Sequence, residues 1–143
     1  MGRLKFPDSA RIYFDTAPII YSVEKHPVFW FVLETFWKTA DSKQFQLFTS
    51  ELTLLEAQVQ PLRDGKYELA AAYKAFLSNF LLKPITLTVL QTATELRAHQ
   101  NFKTPDPIHA ATAINSGCDY LIANDNGFRR LENIEVIILR DLS

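Results

Sequence analysis

Four acidic residues are where this sequence could do chemistry: Asp15, Glu56, Asp106 and Asp125. Carboxylates gathered in one pocket repel one another, raise each other's pKa values and destabilise a fold unless positive charge sits among them. A divalent cation is the simplest remedy. A few Asp and Glu oxygens suit magnesium, which is octahedral and keeps several waters, or manganese. Such an ion polarises a phosphoryl oxygen, lowers the pKa of a bound water and, in a paired site, steadies both attacking and leaving oxygens. Phosphodiester hydrolysis needs those functions. In this reading Asp15, Asp106 and Asp125 hold Mg²⁺ or Mn²⁺, while Glu56 binds a second ion or orients the water.

Each acid taken alone also has a structural reading. Asp15 suits a turn at a strand end, Asp106 a helix N-cap, Asp125 the turn chemistry of Asn126-Gly127, and Glu56 a solvated helix position. Glu51 competes with Glu56, because a carboxylate in the first helical turn is favoured by the helix dipole. His109 lies three residues after Asp106 on the same helix face and could approach the acids, although a packed, hydrogen-bonded imidazole is the plainer role. His26 and His99 read as surface residues.

The acids need elements to position them. Arg11 to Phe14 is a short apolar strand that stops at Asp15-Thr16, and Pro18 suits the first turn of a helix running through Val23 to a break near His26-Pro27. Val28 to Thr39 reads as a helix that is apolar nearly all round. Phe45 to Thr49 is a second strand, and Ser50 to Glu56 opens a capped helix that Pro61 ends or kinks. Leu69, Ala72, Tyr73, Phe76 and Phe80 recur at helical spacing up to Pro84. The alternation in Ile85 to Val89 predicts a third strand, followed by a helix from Thr92 to about Gln100. Ile108 to Asn115 is a helix ending at Gly117, Tyr120 to Ala123 a fourth strand and Glu135 to Leu139 a fifth.

Strands separated by helices imply an α/β fold with a mostly parallel sheet between helical layers, where ligands sit at the carboxyl ends of strands. A length of 143 residues with 48% hydrophobic content fits one domain with a real core. Residues 1–9 read as a loose N-terminal extension. The single Cys118 excludes a disulfide framework and cysteine-rich zinc sites and fits a cytoplasmic location. No apolar run resembles a signal peptide or reaches the roughly 20 residues of a membrane span. A formal net charge of −1 means that any polyanion must be met by a local basic patch. Lys103, Arg129 and Arg130 flank Asp106 and Asp125 in sequence and are candidates to grip phosphates.

Four segments, in order, resemble the motifs of PIN domains: Ile12-Tyr13-Phe14-Asp15-Thr16; Thr49 to Glu56; Pro105-Asp106-Pro107-Ile108-His109-Ala110-Ala111-Thr112-Ala113; and Leu121 to Phe128. The resemblance spans Ile12 to Leu139. It implies a PIN-like three-layer α/β/α sandwich with about five strands. It further implies a metal-dependent endoribonuclease of the VapC toxin type, with Asp15, Glu56, Asp106 and Asp125 as the acidic quartet. Thr16 and Asn124 would be the polar residues beside the first and last Asp, and RNA, an antitoxin protein and a second copy in a homodimer would be the partners. The chain departs from the pattern at Ala17, where relatives often carry Asn, and at Ala123, where they often carry Thr or Ser. Those losses keep open an alternative: a PIN-like RNA-binding or scaffolding module without catalysis. A phosphatase working through an aspartyl-phosphate fits less well, because Ala17 stands where a second Asp belongs.

Overall fold

The computed structural model describes residues 2–142. Five strands, β1 (Arg11–Phe14), β2 (Gln46–Ser50), β3 (Leu81–Lys83), β4 (Tyr120–Ala123) and β5 (Glu135–Ile138), form one sheet in the order β3-β2-β1-β4-β5. All four pairings are parallel. The helices are α1 (Thr16–Val23), α2 (Trp30–Ala40), α3 (Leu52–Arg63), α4 (Tyr67–Leu77), α5 (Leu87–Gln100) and α6 (Asp106–Asn115), with two short 3₁₀ turns at Asn126–Arg130 and Leu139–Asp141.

The period-2 alternation of a strand divides the core in two. On one face Ile12 and Phe14 of β1 and Ile122 of β4 pack with Ile19 of α1, Leu33 and Phe36 of α2, and Tyr73 and Leu77 of α4. On the other, Tyr13, Phe48, Leu121 and Ala123 pack with Val89, Ala93 and Leu96 of α5 and Ala110, Ala111 and Ala113 of α6. Both faces of the sheet are covered, which is why its strands read as almost continuous apolar runs. This is the three-layer α/β/α sandwich expected from the sequence.

Four expectations need correction. Ile85 to Val89 is not a strand: Thr86 caps α5, its hydroxyl accepting the Val89 N–H at 3.2 Å, so Leu87 to Val89 belong to a helix that starts five residues before Thr92. The third strand is the shorter Leu81–Lys83, at the edge of the sheet. A Thr that can cap converts an alternating run into a helix start. Pro61, read as ending or kinking its helix, does not end α3, which continues to Arg63. The segment read as a loose extension is pinned by Phe6, which is buried against Phe36, Phe45 and Tyr120 with edge-on rings 4.7 to 5.8 Å apart. His26, expected at the surface, is half-buried between Tyr21 and Phe29.

Phe6→Ala is therefore expected to lower stability by about 3 kcal/mol in urea denaturation, in the range of buried aromatic truncations. A change under about 0.5 kcal/mol, the size of a surface substitution, would return this segment to the status of a loose tail.

Candidate active site

In the sheet order, β1 leads to β2 on one side while β4 lies on the other, so the chain reverses its direction of winding between β1 and β4. The crevice at the carboxyl ends of two such strands is the natural ligand site of an open parallel sheet. Asp15 is the first residue after β1 and Asp125 the second after β4, and the Asp15 N–H donates to the Ile122 carbonyl at 3.0 Å, continuing the ladder. Asp106 opens α6. The three aspartates line one cleft of about 430 Å³, together with Ala17, Tyr21, Asn124, Asn126 and Arg140.

Gly127 shows how tightly Asp106 and Asp125 approach. A Cβ on it would stand 3.1 Å from Asp125 Oδ1 and 3.8 Å from Asp106 Oδ2, and its N–H donates to Asp125 Oδ1 at 2.7 Å. A larger residue here would push into the space shared by the two carboxylates. Burial and the charges of Asp15 and Asp125 raise Asp106 to about 7. Burial also raises Asp15, against the attraction of His109. Three hard-oxygen donors short of positive charge are the donor set that Mg²⁺ or Mn²⁺ takes. Among the described residues no three His, Cys, Asp or Glu side chains stand close enough together to hold a metal ion as placed, so the three aspartates form an open set of oxygens around the cleft.

Glu56 lies apart from that cleft lining, on α3. Its Oε1 accepts from Thr16 Oγ1 at 2.7 Å and from His109 Nε2 at 2.7 Å. These bonds hold Glu56 below the usual carboxylate range despite partial burial. His109 Nε2 is also 3.5 Å from Asp15 Oδ1, and its Nδ1 is 2.7 Å from the hydroxyl of Tyr13. Behind Thr16 stand Thr53 at 3.1 Å and, beyond it, Thr49 at 2.8 Å, whose hydroxyl donates to the Phe14 carbonyl. Glu51, the rival acid, is exposed at the start of α3 and enters none of these contacts.

The phosphate-gripping candidates do not gather as expected. Arg129 donates twice to Asp141, at 2.7 and 2.8 Å, and once to Asn126. Arg130 donates to the carbonyls of Gln100 and Asn101. Adjacency in sequence does not aim a side chain, and carboxylate and carbonyl oxygens nearby have taken both guanidinium groups. Lys103 is exposed on the loop before α6. Asn124 is buried and braces the cleft wall: its Oδ1 accepts the Arg140 N–H at 2.9 Å and its amide donates to the Tyr21 hydroxyl.

Arg140 is the cleft residue that sequence reasoning missed. The signal lay in strand register. Ala123 pairs with Ile138 at the end of β5, which brings Arg140, two residues on, to Asn124, where its guanidinium donates to the Asn124 carbonyl at 2.6 Å.

Known proteins share the family and the fold of this chain. The PIN domain family model matches residues 12–134, and the chain belongs to that family. Solved structures share its fold at low identity. VapBC2 from Rickettsia felis, bound to a DNA fragment from its promoter, is 20% identical with a TM-score of 0.73, over 90% of this chain and 98% of that one. DNA-bound VapBC from Salmonella typhimurium is 17% identical with a TM-score of 0.71, over 91% and 98%. VapC20 from Mycobacterium tuberculosis, described as a sarcin-ricin loop cleaving toxin, is 19% identical with a TM-score of 0.69, over 87% and 98%. No curated protein sequence matches the chain. No helix among the described residues is long and apolar enough to cross a membrane.

The raised Asp106 sets a pH dependence. Its folded-state pKa of about 7 exceeds its ordinary value of 3.8, so the folded protein holds the proton more tightly and loses stability as pH rises between those values. Metal-free protein should melt at lower temperature at pH 7 than at pH 5, and Asp106→Asn should flatten that slope. Thermal melts in chelator measure it; an equal slope in the variant would exclude Asp106 as the source.

Proposed function

We propose that this protein is a metal-dependent endoribonuclease, the toxin of a toxin–antitoxin pair, whose Asp15, Asp106 and Asp125 hold Mg²⁺ or Mn²⁺. The observation that carries the reading is the convergence of three aspartates from distant parts of the chain on one cleft at the β1–β4 switch point, where burial together with the neighbouring carboxylates raises Asp106 to about 7. Such charge would be a cost without a function. When bound, the ion supplies a polarised phosphoryl oxygen and an activated water.

The remaining work falls to the chain's own residues. Asp15 and Asp106 give up their protons to bind a cation, so binding strengthens as pH rises towards and past 7. Thr16 and His109 steady Glu56 beside Asp15 for a part in orienting the water or a second ion. Arg140 on the cleft wall offers positive charge to a backbone phosphate, braced by Asn124. RNA as substrate is supported by family membership and by the structural neighbour described as a sarcin-ricin loop cleaving toxin. An antitoxin partner is supported by the neighbours solved as VapBC complexes. Surface for it exists: Leu55, Val59 and Leu62 of α3 are 61%, 40% and 50% exposed at i, i+4 and i+7, an anchor pattern for a partner helix. Phe31, 68% exposed on α2, adds apolar surface for a second copy in a homodimer. A cytoplasmic location completes the reading.

The test is incubation of the purified protein with a panel of structured RNAs in Mg²⁺ or Mn²⁺. Cleavage is expected, abolished by excess chelator and by Asp15→Asn without loss of the cooperative melt. Changes to groups outside the metal's immediate ligands already cost about 10- to 100-fold, so a ligand should cost at least as much. RNA retained in a binding assay but left intact with either ion would instead favour the catalytically silent module.

A further inference from the structure

The cleft accounts for three aspartates but not for the buried bonding system behind it, which joins β1, α3 and α6 through one imidazole. His109 is 1% exposed. Its Nε2 meets Glu56 Oε1 at 2.7 Å, and its Nδ1 meets the Tyr13 hydroxyl at 2.7 Å. Tyr13 is fully buried on β1, and its ring stands edge-on to the imidazole with centroids 5.9 Å apart. Both edges of the imidazole are therefore fixed, one by a group that cannot move and the other by the carboxylate it serves.

The count of protons decides what reaches Glu56. Thr49 spends its hydroxyl proton on the Phe14 carbonyl. Thr53 has one proton for two neighbours, Thr49 and Thr16. Thr16 spends its own on Glu56. A carboxylate only accepts, so the contact with His109 requires the imidazole proton to sit on Nε2, leaving Nδ1 to accept from Tyr13 or to share a proton with it. Two donors thus fall on the same oxygen, Oε1, and Oε2 is the oxygen those bonds do not use. A Glu side chain has three rotatable bonds, and without these donors nothing described would hold it beside Asp15.

We propose that His109 is the positioning residue of the carboxylate site: backed by Tyr13, it fixes Glu56 beside Asp15 so that Glu56 serves the cleft through Oε2. The proposal rests on the reading of the cleft as a metal site. His109 lies one turn beyond Asp106 on α6, so the helix that presents one acid also orders another. Groups that orient a metal site's acids from behind are commonly worth about 10- to 100-fold in metal affinity or activity.

The experiment is a double-mutant cycle read by Mn²⁺ titration with electron paramagnetic resonance on full-length protein. His109→Gln and Glu56→Gln are each expected to weaken Mn²⁺ binding by about 10- to 100-fold, and the double variant no more than the weaker single. Losses that multiply, or His109→Gln binding within about twofold of the parent, overturn the proposal, since a merely structural His109 would act independently of Glu56. If His109→Gln gives no cooperative melt, Tyr13→Phe takes its place, with a weakening that disappears in the Glu56→Gln background; persistence there overturns the proposal. A second readout needs no metal. Imidazole ¹⁵N NMR of the metal-free protein should show the His109 proton on Nε2, shifted by Glu56→Gln, and an imidazole protonated at Nδ1 alone overturns the proposal. A parent protein that binds no Mn²⁺ sinks the metal reading, and the NMR result then decides the His109–Glu56 anchor on its own.

Discussion

The parallel pairing of β1 with β4 is the constraint on which the rest of this molecule depends. It places Asp15 and Asp125 at adjacent strand ends, although 110 positions separate them in sequence. Because the side-chain period of a strand is two, the register also decides which face each neighbour takes. Tyr13 turns towards α6, where it meets His109, while Ile12 and Phe14 turn to the opposite layer. A slip of one residue would send Phe14 into the layer of α5 and α6 and remove the hydroxyl behind the imidazole together.

Bringing carboxylates to that junction has an electrostatic cost, and the structure distributes it unequally. Glu56 is met by two donors and sits below its ordinary range, whereas Asp106 is left at about 7 among acids. One side of the site is bonded through to the backbone of β1, and the other is an open cleft that Asp15, Asp106 and Asp125 line together with Arg140. That division separates a closely bonded part from an open, acidic one. The small residues of α6 make it possible: Ala110, Ala111 and Ala113 let the helix lie close on the sheet, so a single imidazole can bridge α6 to both β1 and α3.

Much of this was legible in the sequence, for a physical reason. Strand ends and helix starts carry local signals, so Asp15, Asp106 and Asp125 could be placed at the edges of elements before any coordinates. Ile85 to Val89 misled because alternation over five residues is compatible with a strand and with a helix entry, and the Thr86 cap, a local bond, decided it. Arg129 and Arg130 misled for a different reason. Long cationic side chains go to the nearest available oxygens, and Asp141, Gln100 and Asn101 lie far from them in sequence. Arg140 was hidden because nothing local distinguishes it; only the pairing of β4 with β5 brings it to Asn124.

The two departures from the family pattern can be weighed against these contacts. Ala17 lines the cleft and offers no polar group there, but Asn126 and Asn124 reach the same cleft from the β4 side. Ala123 is fully buried among apolar neighbours on the α6 face, where a hydroxyl would need a partner of its own. The hydroxyls that order this site come instead from β2 and α3, through Thr49 and Thr53, and reach the acids by way of Thr16. The polar support has thus been drawn towards Glu56 and away from Asp125, so the half of the site nearest β4 depends on its backbone turn, in which the Gly127 N–H holds Asp125 in place.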